Sequence, residues 1–430
     1  MRIIRHTDPN FSDALKQLDR SSEPSPDVEK TVREVILAIR GEGDAALLRL
    51  NEKFGGAKFS AEQLRVTAAE LRDAKRSVRA GVKNAITAAH ANVRDFAKRS
   101  LRKSWSAKNQ QGAKVGERFD PFQRVGIYVP AGTAPLASTV IMTVTLAAAA
   151  GVPEIVVACP ADKNGAINPA VLFACELCGA TEIYKIGGAQ AIAALALGTE
   201  TIAPVAKIFG PGNPWVVEAK RQVFGKVAVD LLPGPSEIFV IADSAANPAW
   251  IAADLLAQAE HGHGSSVVLA TNSSKLLNDV QHAVETQLAQ LLRQEHLRGV
   301  LKQHTFLILV KTLKDAVRIA NDFAPEHLSI VAKDDEKLAA QIRTSGAIFL
   351  GSMSPVVAGD FVAGPSHELP TGGAGKSFAG LTVDQFQRRT SIVRFDEKSL
   401  RRSLPVIETF SEIEGLDAHG RSAAIRLEKG

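Results

Sequence analysis

From residue 124 onward, short β-branched runs alternate with alanine-rich segments, and this alternation restricts the fold more than any other feature of the chain. Strands are predicted at 125–129, 154–159, 182–186 and 205–209, with helices between them at about 135–150, up to 178, and 190–197. The pattern resumes after "VAVDLLPGPSEIFVIAD". Helices at 248–261, 274–294, 313–323 and 335–344 alternate there with strands at 266–271, 305–310, 328–332 and 347–350. A β-α-β order of this kind gives a parallel sheet covered by helices on both faces, so the chain is α/β with two successive blocks. Ligands of such sheets bind beyond the carboxyl ends of the strands, and the loops there are where functional motifs are expected. Residues up to about 120 read as helices rich in Lys, Arg, Glu and Ala, with no apolar strand. The tail after about 385 reads as helical and charged.

Several function classes are disfavoured. The net charge of +5 is mild, and the densest basic run, "AKRSLRKSWSAK", holds a single aromatic residue. It reads as the solvated face of a helix rather than a nucleic-acid patch. The longest apolar stretch, "IMTVTLAAAAGVPEIVVAC", is interrupted by Gly151-Val152-Pro153, so no membrane span is expected. With no apolar leader and three cysteines, a cytoplasmic protein is expected. Cys175 and Cys178 in "CELC" fall on one helix, between the start signal Asn168-Pro169 and the stop at Gly179. There they share a face with Val171 and Leu172 and read as buried thiols.

The polar residues at the ends of these elements carry the chemistry. "IGGAQA" and "FGPGNPW" each follow a strand and precede a helix, where glycine lets a helix N-terminus approach a phosphate. Neither is Gly-x-Gly-x-x-Gly, and a tight turn explains them equally well. In "LLAQAEHGHG", Gln258 and His261 are three apart on a helix and share a face, as metal ligands or as surface decoration. "FAPEHL" sets Glu326 beside His327 at a strand mouth, where an acid and a base can serve two proton transfers. Asp360 and His367 lie in the long Gly/Pro loop "SPVVAGDFVAGPSHELPTGG", and Glu414 and His419 in the polar segment "EIEGLDAHG". No close-spaced Cys/His motif occurs, so any metal site must be assembled from distant residues. "PTGGAGKS", at 370–377, ends like a phosphate-binding loop. It has Pro370 where the first glycine is required and no apolar strand directly before it, so a loop turning away from the site is expected.

"IYVPAGTAPLASTVIM", "IGGAQAIAALALGTETI", "GPGN", "GPSEIFVIAD", "LLAQAEH", "FAPEHL", "GPSHELPTGG" and "EGLDAH", in this order, resemble the histidinol dehydrogenase family along nearly the whole chain. The resemblance implies an NAD-linked, zinc-dependent enzyme. It would oxidise L-histidinol through L-histidinaldehyde to L-histidine, the last step of histidine biosynthesis. Gln258, His261, Asp360 and His419 match the family's ligands for one zinc per subunit, an O/N donor set suited to that metal. His327 matches the base that takes the alcohol proton, and Glu326 the residue that activates water for the aldehyde step. Ser236, His367 and Glu414 match substrate contacts, joined by His327 and the metal ligands, while Tyr128, Gln190 and Asn213 match the NAD site.

The resemblance also implies two incomplete Rossmann-like domains with parallel sheets, small helical terminal segments, and an intertwined homodimer with shared active sites. Residues 1–24 would form the N-terminal helical segment. A discontinuous metal and substrate domain would comprise 25–127 and 237–380, the NAD domain 128–236, and the tail 381–430 would reach the partner subunit. Two departures stand near the expected sites: Ala131 where the family commonly has glycine, and His263 where an acidic residue is usual. The alternatives are a relative on the same scaffold acting on another small alcohol, and a zinc hydrolase using Glu326. "GPSHELP" and "EGLDAH" favour histidinol over the first. The strand-terminating glycine loops disfavour the second, which needs no dinucleotide.

Overall fold

The computed structural model describes residues 1–20, 25–131, 135–262 and 264–428. Two parallel sheets organise them. The five-stranded sheet runs, across its width, Glu182–Tyr184, Glu154–Ala158, Arg124–Tyr128, Lys207–Phe209 and Ala228–Val229. The six-stranded sheet runs Arg2–Arg5, Thr305–Leu309, Ser266–Thr271, Glu237–Ala242, His327–Val331 and Ala347–Leu350. Numbered within each block, both follow the order 3-2-1-4-5, a Rossmann arrangement without its sixth strand. The extra edge strand of the larger sheet is the start of the chain.

Every central strand is apolar on both faces because both are covered. Val125 and Ile127 enter one core while Tyr128, Val156 and Ile208 enter the opposite one. In the larger sheet Ile238, Val240 and Leu307 face one way, and Phe239, Ile241, Phe306 and Leu328 the other. Such strands read as continuous apolar runs, as a doubly covered parallel sheet requires.

The helices ahead of residue 101 pack on the five-stranded sheet. Pro26–Glu42 begins with Ser25 accepting from Val28 N and a proline at its first turn, a favourable start. Its buried stripe Val32, Val35, Ile36 and Ile39, with Leu47 and Leu50 of Asp44–Gly55, lies against the five-stranded sheet. On the other face, Ala74 of Ala68–Ser77 and Ile86, Ala89, Val93 and Ala97 of Ala80–Ser100 cover the same sheet. Periodicity identifies these helices but carries no information about which sheet they cover.

Besides Arg2–Arg5 at the start of the chain, three more strands stand where none was expected. Trp105–Lys108, Lys114–Pro121 and Gln387–Arg394 form an antiparallel ribbon joining the tail to residues before 122. Its outer strands are largely exposed and lack a buried alternating face, which hid them in the sequence. The expected helix over 274–294 is two, Ser274–Leu288 and Gln294–Gln303. Leu297, Val300 and Leu301 of the second turn back into the same core as Val280 and Val284. Beyond the ribbon, Glu397–Ile413 and Asp417–Ala424 pack chiefly on one another and leave Val406, Phe410, Ile413 and Leu416 exposed. Cys159, Cys175 and Cys178 are buried and free. No helix among the described residues is long and apolar enough to cross a membrane.

Candidate active site

Two regions collect the residues singled out in the sequence. The first opens at the carboxyl ends of the central strands of the five-stranded sheet, where the strand order reverses. A cavity of about 570 Å³ there is lined by Tyr128, Pro130, Ala131, Gly187, Gln190 and Asn213. Thr31, Val32, Val35 and Phe54 of the N-terminal helices form part of the same wall. Its loops are held tightly. Gly188 N donates to the Tyr128 hydroxyl at 3.1 Å, and burial pushes the Tyr128 phenol up to about 12. Asn213 caps helix Pro214–Val223, accepting from Val216 N at 3.1 Å.

Gly210, in the "GPGN" turn, has φ +109°, and a Cβ there would overlap the Tyr128 carbonyl oxygen. A buried ion pair bolts this turn. Lys220, fully buried, pairs with Asp230 and donates to the Gly210 carbonyl at 2.9 Å, while Gly210 N donates to Asp230 at 2.7 Å. The sequence carried no sign of this pair, because each residue looks like an ordinary surface charge.

The second region lies at the amino ends of the strands of the six-stranded sheet, not at their carboxyl ends as expected. Glu326 immediately precedes His327–Val331, and Ser236 immediately precedes Glu237–Ala242. The Ser236 hydroxyl donates to Glu326 Oε2 at 2.5 Å, and Glu237 N donates to the same oxygen at 2.8 Å. Gln258 Nε2 donates to Ser236 Oγ at 2.7 Å. Burial raises the Glu326 carboxyl above its usual range, partly offset by the neighbouring His327 and these donors.

His327 is buried, and its Nδ1 donates to the Glu237 carbonyl at 2.9 Å. A carbonyl can only accept, so the neutral ring carries its proton on Nδ1 and its lone pair on Nε2. Nε2 lies 3.9 Å from Asp360 Oδ1, and Nδ1 lies 3.5 Å from Glu326 Oε2. Burial lowers the basicity of His367, and the charges of Asp360, His327 and His261 also act on it. Among the described residues its buried Nε2 has no hydrogen-bond partner, and neither has Oε1 of the adjacent Glu368. Burial pushes the Glu368 carboxyl up to about 8.

Ser236, Gln258, Glu326, His327 and Asp360 are therefore one connected cluster, with His261 and His367 beside it. Glu414 and His419 are not part of it. They sit exposed at the tail helices, and among the described residues no three His, Cys, Asp or Glu side chains are gathered to hold a metal. The amide oxygen of Gln258 with His261 and Asp360 is an oxygen and nitrogen donor set that fits zinc, one ligand short of its usual four. His263 lies outside the described residues.

The stretch "PTGGAGKS" has no phosphate-loop geometry. A Cβ at Gly375 would overlap the Thr344 carbonyl oxygen, and Gly372 N donates at 2.7 Å to Glu237 Oε1. Its glycine amide does meet an anion, but the anion is a carboxylate of the chain itself. Glu237 is the functional neighbour that sequence reasoning missed, since it opens an otherwise apolar strand.

A family model described as histidinol dehydrogenase matches residues 18–427. The chain is 46% identical over 410 residues to a histidinol dehydrogenase of Agrobacterium fabrum, covering 95% of each. It is 44% identical over 401 residues to one of Geobacillus kaustophilus, covering 93% of this chain and 94% of that protein. Among solved structures, a histidinol dehydrogenase from Elizabethkingia anophelis superposes with a TM-score of 0.95 at 36% identity, covering 99% of this chain and 98% of that one.

Proposed function

The chain belongs to the histidinol dehydrogenase family and is an oxidoreductase of histidine biosynthesis, and from that premise we propose how its residues divide the work. The observation that carries the proposal is the His327 ring, whose Nδ1 is tied to the Glu237 carbonyl at 2.9 Å beside the buried Glu326 carboxylate. His327 Nε2 takes the hydroxyl proton of L-histidinol in the first oxidation. Glu326 takes a proton from water as it adds to the aldehyde in the second, its oxygen held by Ser236 and by Glu237 N. NAD, when bound, would supply the hydride acceptor for each oxidation. Tyr128, Gln190 and Asn213 would hold it at the five-stranded sheet, with the wall from the N-terminal helices excluding water.

Zinc, when bound, would fix the substrate through its amine and imidazole. Gln258, His261 and Asp360 would hold one ion per subunit, His419 of the tail completing the set. His367 and Glu414 would contact substrate, as would Ser236. Since Glu414 and His419 stand apart from the cluster on a tail with uncovered apolar residues, the tail is proposed to serve the partner's site in a homodimer. The working units are then a cofactor side built on 128–236 and a metal and substrate side built on 237–380, in a cytoplasmic enzyme. The helices of 25–127 serve the cofactor side by packing.

NADH formation from L-histidinol, followed before and after chelation, tests this reading. Two NADH per histidinol, lost with the metal and restored by zinc, are expected. No NADH from metal-loaded protein would overturn it.

A further inference from the structure

The backbone just ahead of the catalytic pair is strained. Ala324, at φ +52°, is the one non-glycine residue at positive φ among the described residues. It ends helix Leu313–Phe323 and turns the chain into Pro325, Glu326 and His327. An L-residue adopts this conformation only where its surroundings impose it. Arg20 supplies those surroundings. Its Nη2 donates to the Phe323 carbonyl at 2.9 Å and lies 3.5 Å from that of Ala324, and its guanidinium sits 3.3 Å from the centre of the Phe323 ring. The same guanidinium grips Glu237 with two nitrogens, Nη2 to Oε2 at 2.6 Å.

Glu237 in turn touches both catalytic residues. Its Oε2 accepts from Glu326 N at 3.3 Å, and its own N and carbonyl hold the Glu326 carboxylate and the His327 ring. Its Oε1 accepts from Gly372 N in the loop that carries His367. A carboxylate this buried needs a cation, and Arg20 is the one it is paired with.

We propose that Arg20 is a positioning residue for Glu326 and, through Glu237, for the water-dependent second oxidation. The segment that bears it is anchored at both ends, since Arg2–Arg5 pairs with Thr305–Leu309 and Leu18 is buried in the same core as Phe323. An arginine is required by this geometry. One planar group stacks on a ring, forks onto a carboxylate and caps two carbonyls, which a lysine ammonium cannot do at once. This assignment rests on the roles proposed above for Glu326 and His327.

The test uses the full-length, metal-loaded enzyme and compares alcohol and aldehyde oxidation in Arg20→Ala and Arg20→Lys. Rates are measured with L-histidinol and with L-histidinaldehyde, and a carbonyl trap in solution collects released aldehyde. Arg20→Ala is expected to slow aldehyde oxidation by about tenfold or more, the scale of a small misplacement of a reacting group. Alcohol oxidation should fall less, so that aldehyde escapes to the trap and NADH per histidinol drops from two toward one. Arg20→Lys should be intermediate, and millimolar guanidinium should restore part of the Arg20→Ala loss. A residue that only holds the fold together would lower both rates in proportion and leave the ratio at two. That outcome, or wild-type partitioning in both variants, overturns the proposal. If Arg20→Ala does not fold, Arg20→Lys decides alone by the same ratio. Failure of the wild-type enzyme to form NADH from histidinol would instead sink the underlying assignment.

Discussion

The five-stranded sheet opens a cavity at the carboxyl ends of its strands, whereas the six-stranded sheet assembles acid and base at the amino ends of its own. Both sheets share one strand order, so topology alone does not decide which end is used. The cavity at the carboxyl ends is made by the chain leaving each strand, through glycine turns and helix N-termini such as that capped by Asn213, which favour an anionic ligand. The amino ends offer the chain entering each strand, with main-chain groups not yet committed to the ladder. Glu237 shows the use made of them: its N–H fixes a carboxylate and its C=O fixes the tautomer of a base. One end is suited to holding a cofactor and the other to holding protonation states.

The sharpest way to separate the two regions is to remove the base. His327→Ala should lower kcat by about 10²- to 10⁴-fold, the usual worth of a general base, with the KM for NAD and the zinc content little changed. Loss of zinc would show that His327 holds the metal and not a proton. Glu326→Gln should spare alcohol oxidation and abolish the aldehyde step. Its effect on stability has a definite sign. Burial raises the Glu326 carboxyl, so the native state favours the protonated form and ionisation costs stability as pH rises through the raised value. The glutamine variant should therefore melt higher than wild type at neutral pH, with the difference closing as pH falls. Melting curves across pH check it, and no difference at neutral pH would mean that the Ser236 and Glu237 donors outweigh burial.

The second break falls on the cofactor side. Gly210→Ala would drive a methyl into the Tyr128 carbonyl at a φ of +109° that L-residues avoid. The turn must move, carrying the Lys220–Asp230 pair and the Asn213 cap with it. A rise of about tenfold in the KM for NAD is expected, with a stability loss of about 1–3 kcal/mol. The KM for histidinol should stay close to wild type. An equal rise in both constants would show that the two regions are one mechanical unit.

These contrasts track what the sequence could and could not convey. Glu326 beside His327, and Gln258 three residues from His261, are legible because their spacing is local. The β-α-β alternation and its core strands are legible because burial on both faces leaves a continuous apolar run. Arg20 and Glu237 are 217 residues apart, and their pairing depends on a sheet edge formed by Arg2–Arg5. Nothing in either neighbourhood signals the other. The ribbon of Trp105–Lys108, Lys114–Pro121 and Gln387–Arg394 was hidden for a different reason, since exposed strands carry no buried stripe to read. Reasoning from carboxyl ends matches where the cavity opens on the five-stranded sheet, whereas Ser236 and Glu326 stand ahead of their strands in the other, at the opposite end.

The smallest expected effect concerns Ala131, which lines the cavity proposed for NAD next to Pro130 and bridges to Pro135. Its methyl belongs to the lining of that cavity. Ala131→Gly should lower the KM for NAD by about twofold, the scale of removing one minor steric contact, and leave kcat with histidinol unchanged. The same change frees the unfolded backbone and should cost about 0.5–1 kcal/mol of stability. Initial rates at saturating histidinol, read beside a melting curve, separate the two contributions. A KM that rises instead would mean that the methyl packs against the cofactor, so that this wall binds by apolar contact and not only through its glycine turns.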